Sequence, residues 1–307
     1  MEKTTKQKRP FWTLKRTGYV FTAVMVFLPL MDFIVWWCIV NAGSLISAFI
    51  DDVNGTFSFN NFVSVFASFK DSVSEDSLLV CFKNTMIYFF AGFATMPISI
   101  LLTFFLYKRI CGHNVFRFIF YLPSIISGLV LVTAWKEITS YNGILGQFMK
   151  WIGKPLVSSI YKDAQKTTFA LVVYGWWLGL ASGMLYYYSA MSRIPTSLLE
   201  AAKLDGCTPF QEFSKIVMPL IGPTIGTLLM LNFAGFLGAS GPILLFISDG
   251  LKGISTLSFR IYHILLLNPS GDIGFVSALG FVMTAASMPI VLLSRWVNNR
   301  VFPAYEY

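Results

Sequence analysis

The chain predicts an all-α fold, a polytopic membrane protein with six transmembrane helices, on three observations. Of its 307 residues, 55% are hydrophobic and only 12% are charged, against roughly a quarter charged in a soluble domain. The apolar residues gather into six runs of about 20, the length that crosses a bilayer as a helix. Basic residues collect at the ends of those runs, so the net charge of +8 reports membrane orientation; no nucleic-acid partner is expected.

Residues 1–18 form a basic tail with Lys3, Lys6, Lys8, Arg9, Lys15 and Arg16, and residues 19–307 form the membrane domain. The tail is similar to the start of a signal peptide. The apolar stretch after it is long and lacks a small-residue cleavage site, so it reads as a retained anchor. Spans are expected at Tyr19–Asn41, Met86–Leu106, Phe116–Trp135, Phe169–Ala190, Leu220–Ile247 and Ile273–Trp296, the fifth interrupted by glycines. Both termini, the Lys108/Arg109/Arg117 loop and the stretch with Arg193, Lys203 and Lys215 are expected on the cytoplasmic side. The acidic loop Asp51–Asp76 is expected outside. Lys136, Lys150, Lys154, Lys162 and Lys166 fall on the predicted outer side and run against the charge rule. The four cysteines, Cys38, Cys81, Cys111 and Cys207, lack CxxC spacing and read as small packing residues.

Between the fourth and fifth runs lies a polar island, near residues 191–219, that reads as helix, glycine, helix. Ser197 and Glu200 have capping-box spacing, Leu198 to Leu204 are good helix formers, and Gly206 sits where a helix closes with φ > 0. The second helix starts at once. Thr208 caps it, Pro209 fits its first turn, Gln211 completes a second capping box, and Phe210, Phe213, Ile216 and Val217 make one apolar face. Two capped helices at a sharp corner form a knuckle suited to docking into another protein.

The residues of this island resemble the EAA loop of the membrane subunits of type I ABC importers. Glu200-Ala201-Ala202 is followed by Asp205-Gly206, nine further residues, then Ile216 and Pro219, with Met218 where leucine is usual. Asn84-Thr85 opening the second span, Phe116-Arg117, Leu122-Pro123, Asn142-Gly143, Thr256-Leu257-Ser258 and Ile261-Tyr262 are similar to the carbohydrate-uptake branch of that family. The ending Arg300-Val301-Phe302-Pro303-Ala304-Tyr305 lacks the Gly-rich close of the second permease of such pairs, so the chain resembles the first. The resemblance implies the type I importer permease fold, a multi-pass subunit of the bacterial cytoplasmic membrane, and transport of a carbohydrate, an oligosaccharide by the branch it resembles. It also implies a second homologous permease, two ATPase subunits and an extracellular binding protein as partners, and an ATPase-coupling role for the seven motif residues Glu200, Ala201, Ala202, Asp205, Gly206, Ile216 and Pro219.

No Gly-x4-Gly-Lys-Ser/Thr loop occurs, and Gly153-Lys154 runs into Pro155. No cofactor is expected on this chain; ATP and Mg belong on the partner ATPase. For substrate, Tyr174 and Trp177 of the fourth span and Asn232 of the fifth offer ring faces and a hydrogen-bonding amide to a sugar, although tyrosine and tryptophan at span ends also form interface belts. Two rival readings remain. Asp32, inside the first span, would serve a proton-coupled carrier. Ser240 in Gly238-Ala239-Ser240-Gly241, with His263 as base, would serve an intramembrane serine protease; His113, the other histidine, lies in a cytoplasmic loop.

Overall fold

A computed structural model describes residues 14–51, 55–70, 77–110, 112–154, 156, 159–247, 253–267 and 272–301. The charges at Lys3 to Arg9, Cys111 and the ending from Phe302 onward lie outside them. Among the described residues every named element is a helix, joined by turns and short extended links, apart from one isolated bridge between Ile50 and Phe57. Five helices are long and apolar enough to cross a membrane, and a sixth span is made when one sharply bent pair is counted as one. The protein is a multi-pass membrane protein.

The first rod is α1 (Leu14–Asp32), a π turn (Phe33–Ile39) and α2 (Val40–Ala48). None of the residues in its most apolar window is buried by the rest of the chain. Helix α3 (Asn60–Lys70) follows, inside the segment expected to be a loop. Asn61 Nδ2 donates to the carbonyls of Ala48, 3.3 Å away, and Ile50, 2.7 Å away, and so ties α3 to the end of α2.

The central pair is α4 (Leu78–Tyr107) and α8 (Ala164–Met191). They approach closely because small residues face each other: a Cβ on Gly183 would lie 2.8 Å from Ser99 Oγ, and one on Gly179 would lie 3.3 Å from Thr95 Oγ1. Helix α4 opens eight residues before Met86, with Ser77 accepting from the Val80 N–H. Asn84 and Thr85 therefore lie inside it and do not open it. Asn84 Nδ2 donates to the Gly253 and Ser255 carbonyls at 2.8 and 3.0 Å, and Thr85 Oγ1 accepts from the Leu257 N–H at 3.0 Å. Two motifs read separately in the sequence are thus one contact, which seats α13 (Leu257–Leu267) on α4.

The third expected span is corrected. Phe116–Trp135 is divided into α5 (His113–Ile125) and α6 (Gly128–Thr139), with Ile126 and Ser127 extended between them. Counting α7 (Ile144–Trp151) with α6, the bend is 113°. A hydropathy window averages across a two-residue break, so the apolar run hid it. The fifth span is corrected as well. Its helix ends at Ala234, and residues up to Ile247 form turns and the short α12 (Ile243–Phe246). The last span, α14 (Ile273–Val301), follows the expectation and runs five residues longer at its end.

Candidate functional site

The island forms a knuckle, built by local rules with one exception. Helix α9 (Thr196–Leu204) begins a residue before Ser197, after the extended Pro195, and its start carries no side-chain cap. The expected Ser197–Glu200 box is therefore not formed, and Glu200 stands exposed on the helix. At the other end Gly206 has φ 77°. Its N–H reaches the Lys203 carbonyl at 3.1 Å and the Cys207 N–H reaches Ala202 at 3.0 Å, the paired bonds of a Schellman close.

The second box is present. Gln211 N–H donates to Thr208 Oγ1 at 3.3 Å, and Thr208 N–H donates to Gln211 Oε1 at 2.9 Å, with Pro209 in the first turn. Only one α turn follows, α10 (Pro209–Gln211). The chain then passes through a π turn (Glu212–Val217) into α11 (Met218–Ala234), so knuckle helix and fifth span are one rod. Pro219 has no N–H for the carbonyl four residues back, and a widened turn accommodates that loss. The extra residue in the π turn also rotates the apolar face. Phe213 and Ile216 are half-buried and Val217 is buried, while Phe210 is 76% exposed. A 3.6-residue reading had aligned all four. Leu204, 89% exposed, joins Phe210 on the outer surface of the knuckle.

Sequence reasoning missed Glu212, the first residue of the π turn. Its side chain is 3% exposed and forms an ion pair with Lys108, 24% exposed, which caps α4. The second carboxylate oxygen, Oε1, is buried and has no hydrogen-bond partner among the described residues. Around this pair the rings of Phe104 and Phe213 lie 4.9 Å apart, and Arg117 of α5 sits 4.5 Å over the Tyr188 ring. A charge on the second span gave no sign in sequence that it would meet a partner 104 residues later.

At the opposite end of α8, Tyr174 is buried among Phe246 and Trp135, with ring centroids 5.1 and 5.6 Å away. Trp177 stacks on Trp135 at 5.9 Å. Asn232 is apart from them on α11, exposed, its Nδ2 donating to the Leu228 carbonyl of its own helix at 2.9 Å. The structure brings Tyr174 and Trp177 together and does not bring Asn232 to them. Beside this cluster a cavity of about 640 Å³ opens among Trp135, Ile138, Thr139, Leu145, Phe169 and Val173, with Gln165 and Lys166 as further polar lining. Thr139 and Tyr161 share a hydrogen bond of 2.6 Å at its edge. Burial pushes the Tyr161 hydroxyl above the ordinary tyrosine range, and the Thr139 contact pulls it back.

Residues 95–305 match the model of the family described as "Binding-protein-dependent transport system inner membrane component". The chain belongs to this family. The match runs from the middle of α4, through the knuckle, to the C-terminal segment. This permease is 27% identical over 224 residues to the probable ABC transporter permease protein YesP of Bacillus subtilis (strain 168), covering 70% of this chain and 72% of that one. It is 26% identical over 210 residues to the sn-glycerol-3-phosphate transport system permease protein UgpA of Shigella dysenteriae serotype 1 (strain Sd197), covering 66% and 68%. Its fold matches a chain of a crystal structure of a bacterial alginate ABC transporter in complex with alginate pentasaccharide-bound periplasmic protein. The TM-score there is 0.77 at 22% identity, over 95% of this chain and 99% of that one.

In the permease Ser240 donates to the Gly241 carbonyl at 3.3 Å, while His263 lies on the Phe259 ring. Among the described residues no hydrogen bond joins the two, so the protease arrangement is not assembled. Asp32 lies exposed on the first rod, at the entry to its π turn.

Proposed function

We propose that this permease is one of two homologous membrane subunits of an ABC importer for a carbohydrate, fed by an extracellular binding protein. Two separate ATPase subunits hold ATP and Mg, and this chain hydrolyses none. The observation that carries the reading is the knuckle: a capped corner with exposed Glu200, Leu204 and Phe210, continuous through one rod with the membrane core. An exposed carboxylate ringed by exposed apolar side chains suits a groove with a basic residue on its floor. Closure of the ATPase pair would press two such corners together and turn the spans about a central passage.

The relatives' printed substrates, a glycerol phosphate and an oligomer of an acidic sugar, suggest an anionic cargo. The exposed Lys150, Lys154, Lys162 and Lys166 at the end remote from the knuckle support it by raising local anion concentration. Contact with sugar is assigned to Trp177 and Asn232, and Tyr174 to holding Trp177 in place, because it is itself buried. Carrier action through Asp32 is set aside: one carboxylate on an exposed rod offers no relay.

The test is uptake into proteoliposomes holding this chain with the permease, ATPase and binding protein encoded beside its gene. ATP-dependent accumulation of a labelled oligosaccharide, lost when the ATPase is omitted, is the expected result. Uronic oligosaccharides should compete better than neutral ones at low salt. Uptake driven by a proton gradient without ATP would sink the proposal.

A further inference from the structure

We propose that Lys108 and Glu212 form the tie through which a push on the knuckle is carried into the helix core, both acting as positioning residues for transport. The inference rests on the importer reading above. Glu212 belongs to two structures at once. Its N–H bonds to the Thr208 carbonyl at 2.9 Å, which makes it the end of the capped knuckle turn. Its carboxylate reaches across to Lys108, the residue that closes α4. Helix α4 is seated on α8 along the small-residue seam at Thr95 and Ser99. The knuckle, Glu212, Lys108 and the α4–α8 pair are thus linked in series.

Glu212, one end of the tie, is the first residue of the π turn that joins the knuckle to α11. A π turn is wider than an α turn, and helix kinks collect at such turns. Without the ion pair, apolar packing such as that of Phe213 on Phe104 is left to join the start of the turn to α4, a contact that lets the knuckle slide and swing about residues 212–217. Burial keeps the link closed as the rod moves. A carboxylate that is 3% exposed and has one unpartnered oxygen loses all compensation for its charge if the lysine leaves.

The experiment compares the parent with two double variants in the complete reconstituted transporter. Lys108→Met with Glu212→Met removes both charges at similar volume, a change buried pairs often tolerate. Lys108→Glu with Glu212→Lys reverses the pair and keeps it. Uptake and hydrolysis are read on the same vesicles. The Met pair should assemble and hydrolyse ATP, with transport per ATP reduced roughly tenfold, and the reversed pair should recover most of it. A ratio unchanged in the Met pair overturns the proposal. So does a reversed pair no better than the Met pair, which removes the ionic nature of the tie, or failure of both variants to assemble, which makes the pair a folding contact only. The parent's own ATP-driven uptake, measured alongside, tests the importer reading separately.

Discussion

Glu200 shows how a single side chain can be read for two roles and lose one of them. Its spacing from Ser197 suits a capping box, but α9 starts too early for that box, and the carboxylate is left exposed. Glu200→Gln therefore removes charge and no local bond. The variant should fold and insert as the parent does while its affinity for the ATPase falls by roughly thirtyfold or more, the ~2–5 kcal/mol cost of one unmatched charge in a docked groove. Co-purification of the ATPase from the same lipid measures it, and equal recovery of parent and variant would refute ionic docking here. Gly206 is a different case. A Cβ there meets nothing within 4 Å, so its requirement is the φ of 77° alone. Gly206→Val should cost about 1–2 kcal/mol through the backbone. Gly206, Thr208, Pro209 and Gln211 were legible in sequence because their partners lie within four residues. Glu212 was not, because its partner lies 104 residues away.

At the scale of elements, the positions of the long helices follow from hydropathy and their interruptions do not. The break at Ile126–Ser127 and the end of α11 at Ala234 both lie within apolar sequence, where backbone geometry changes without a change of solvent, while the π turn at 212–217 lies in the polar island, where a 3.6-residue reading passes over a widened turn. The π turn has a visible cause after the fact, Pro219, but proline alone does not state whether a helix kinks, ends or widens. The α4–α8 seam gives the clearest test at this scale. At Gly183 an added Cβ would fall 2.8 Å from Ser99 Oγ and 3.6 Å from the Tyr187 ring, with α4 backbone behind the serine. Gly183→Leu should spread the pair and lower stability by about 2 kcal/mol, read as a fall in Tm in detergent. Gly183→Leu with Ser99→Gly should recover part of the loss, because the two sites share one contact. No recovery would mean that the seam is not set by residue size.

For the whole molecule the open question is which side of the membrane each end of the helices faces. The candidate span within the first rod runs 31 residues from Gly18 to Ala48, about 46 Å at 1.5 Å per residue, and therefore projects beyond a hydrocarbon core of about 30 Å. No residue of its most apolar window is buried by the rest of this chain, as expected of a helix that meets lipid or a second subunit. Counting the bent α5–α6 pair as one span gives six crossings and returns the chain to its starting side; counting it as re-entrant gives five and does not. The knuckle then decides. If it is the ATPase contact, Gln211 must be cytoplasmic, and Asn142, beyond the bend at the opposite end of the helices, must face outward. In a background with Cys38, Cys81, Cys111 and Cys207 replaced by serine, single cysteines at Gln211 and Asn142, both exposed, separate the cases. An impermeant maleimide should label position 142 in intact cells, and position 211 only after permeabilisation. With the N-terminus cytoplasmic, a cysteine at 142 shielded until the cells are opened, with 211 labelled from outside, would make α5–α6 re-entrant, leave five crossings and move the C-terminus outside. Labelling of 211 from outside would remove the knuckle from the compartment that holds ATP, and the coupling role of Glu200, Gly206 and Pro219 would go with it.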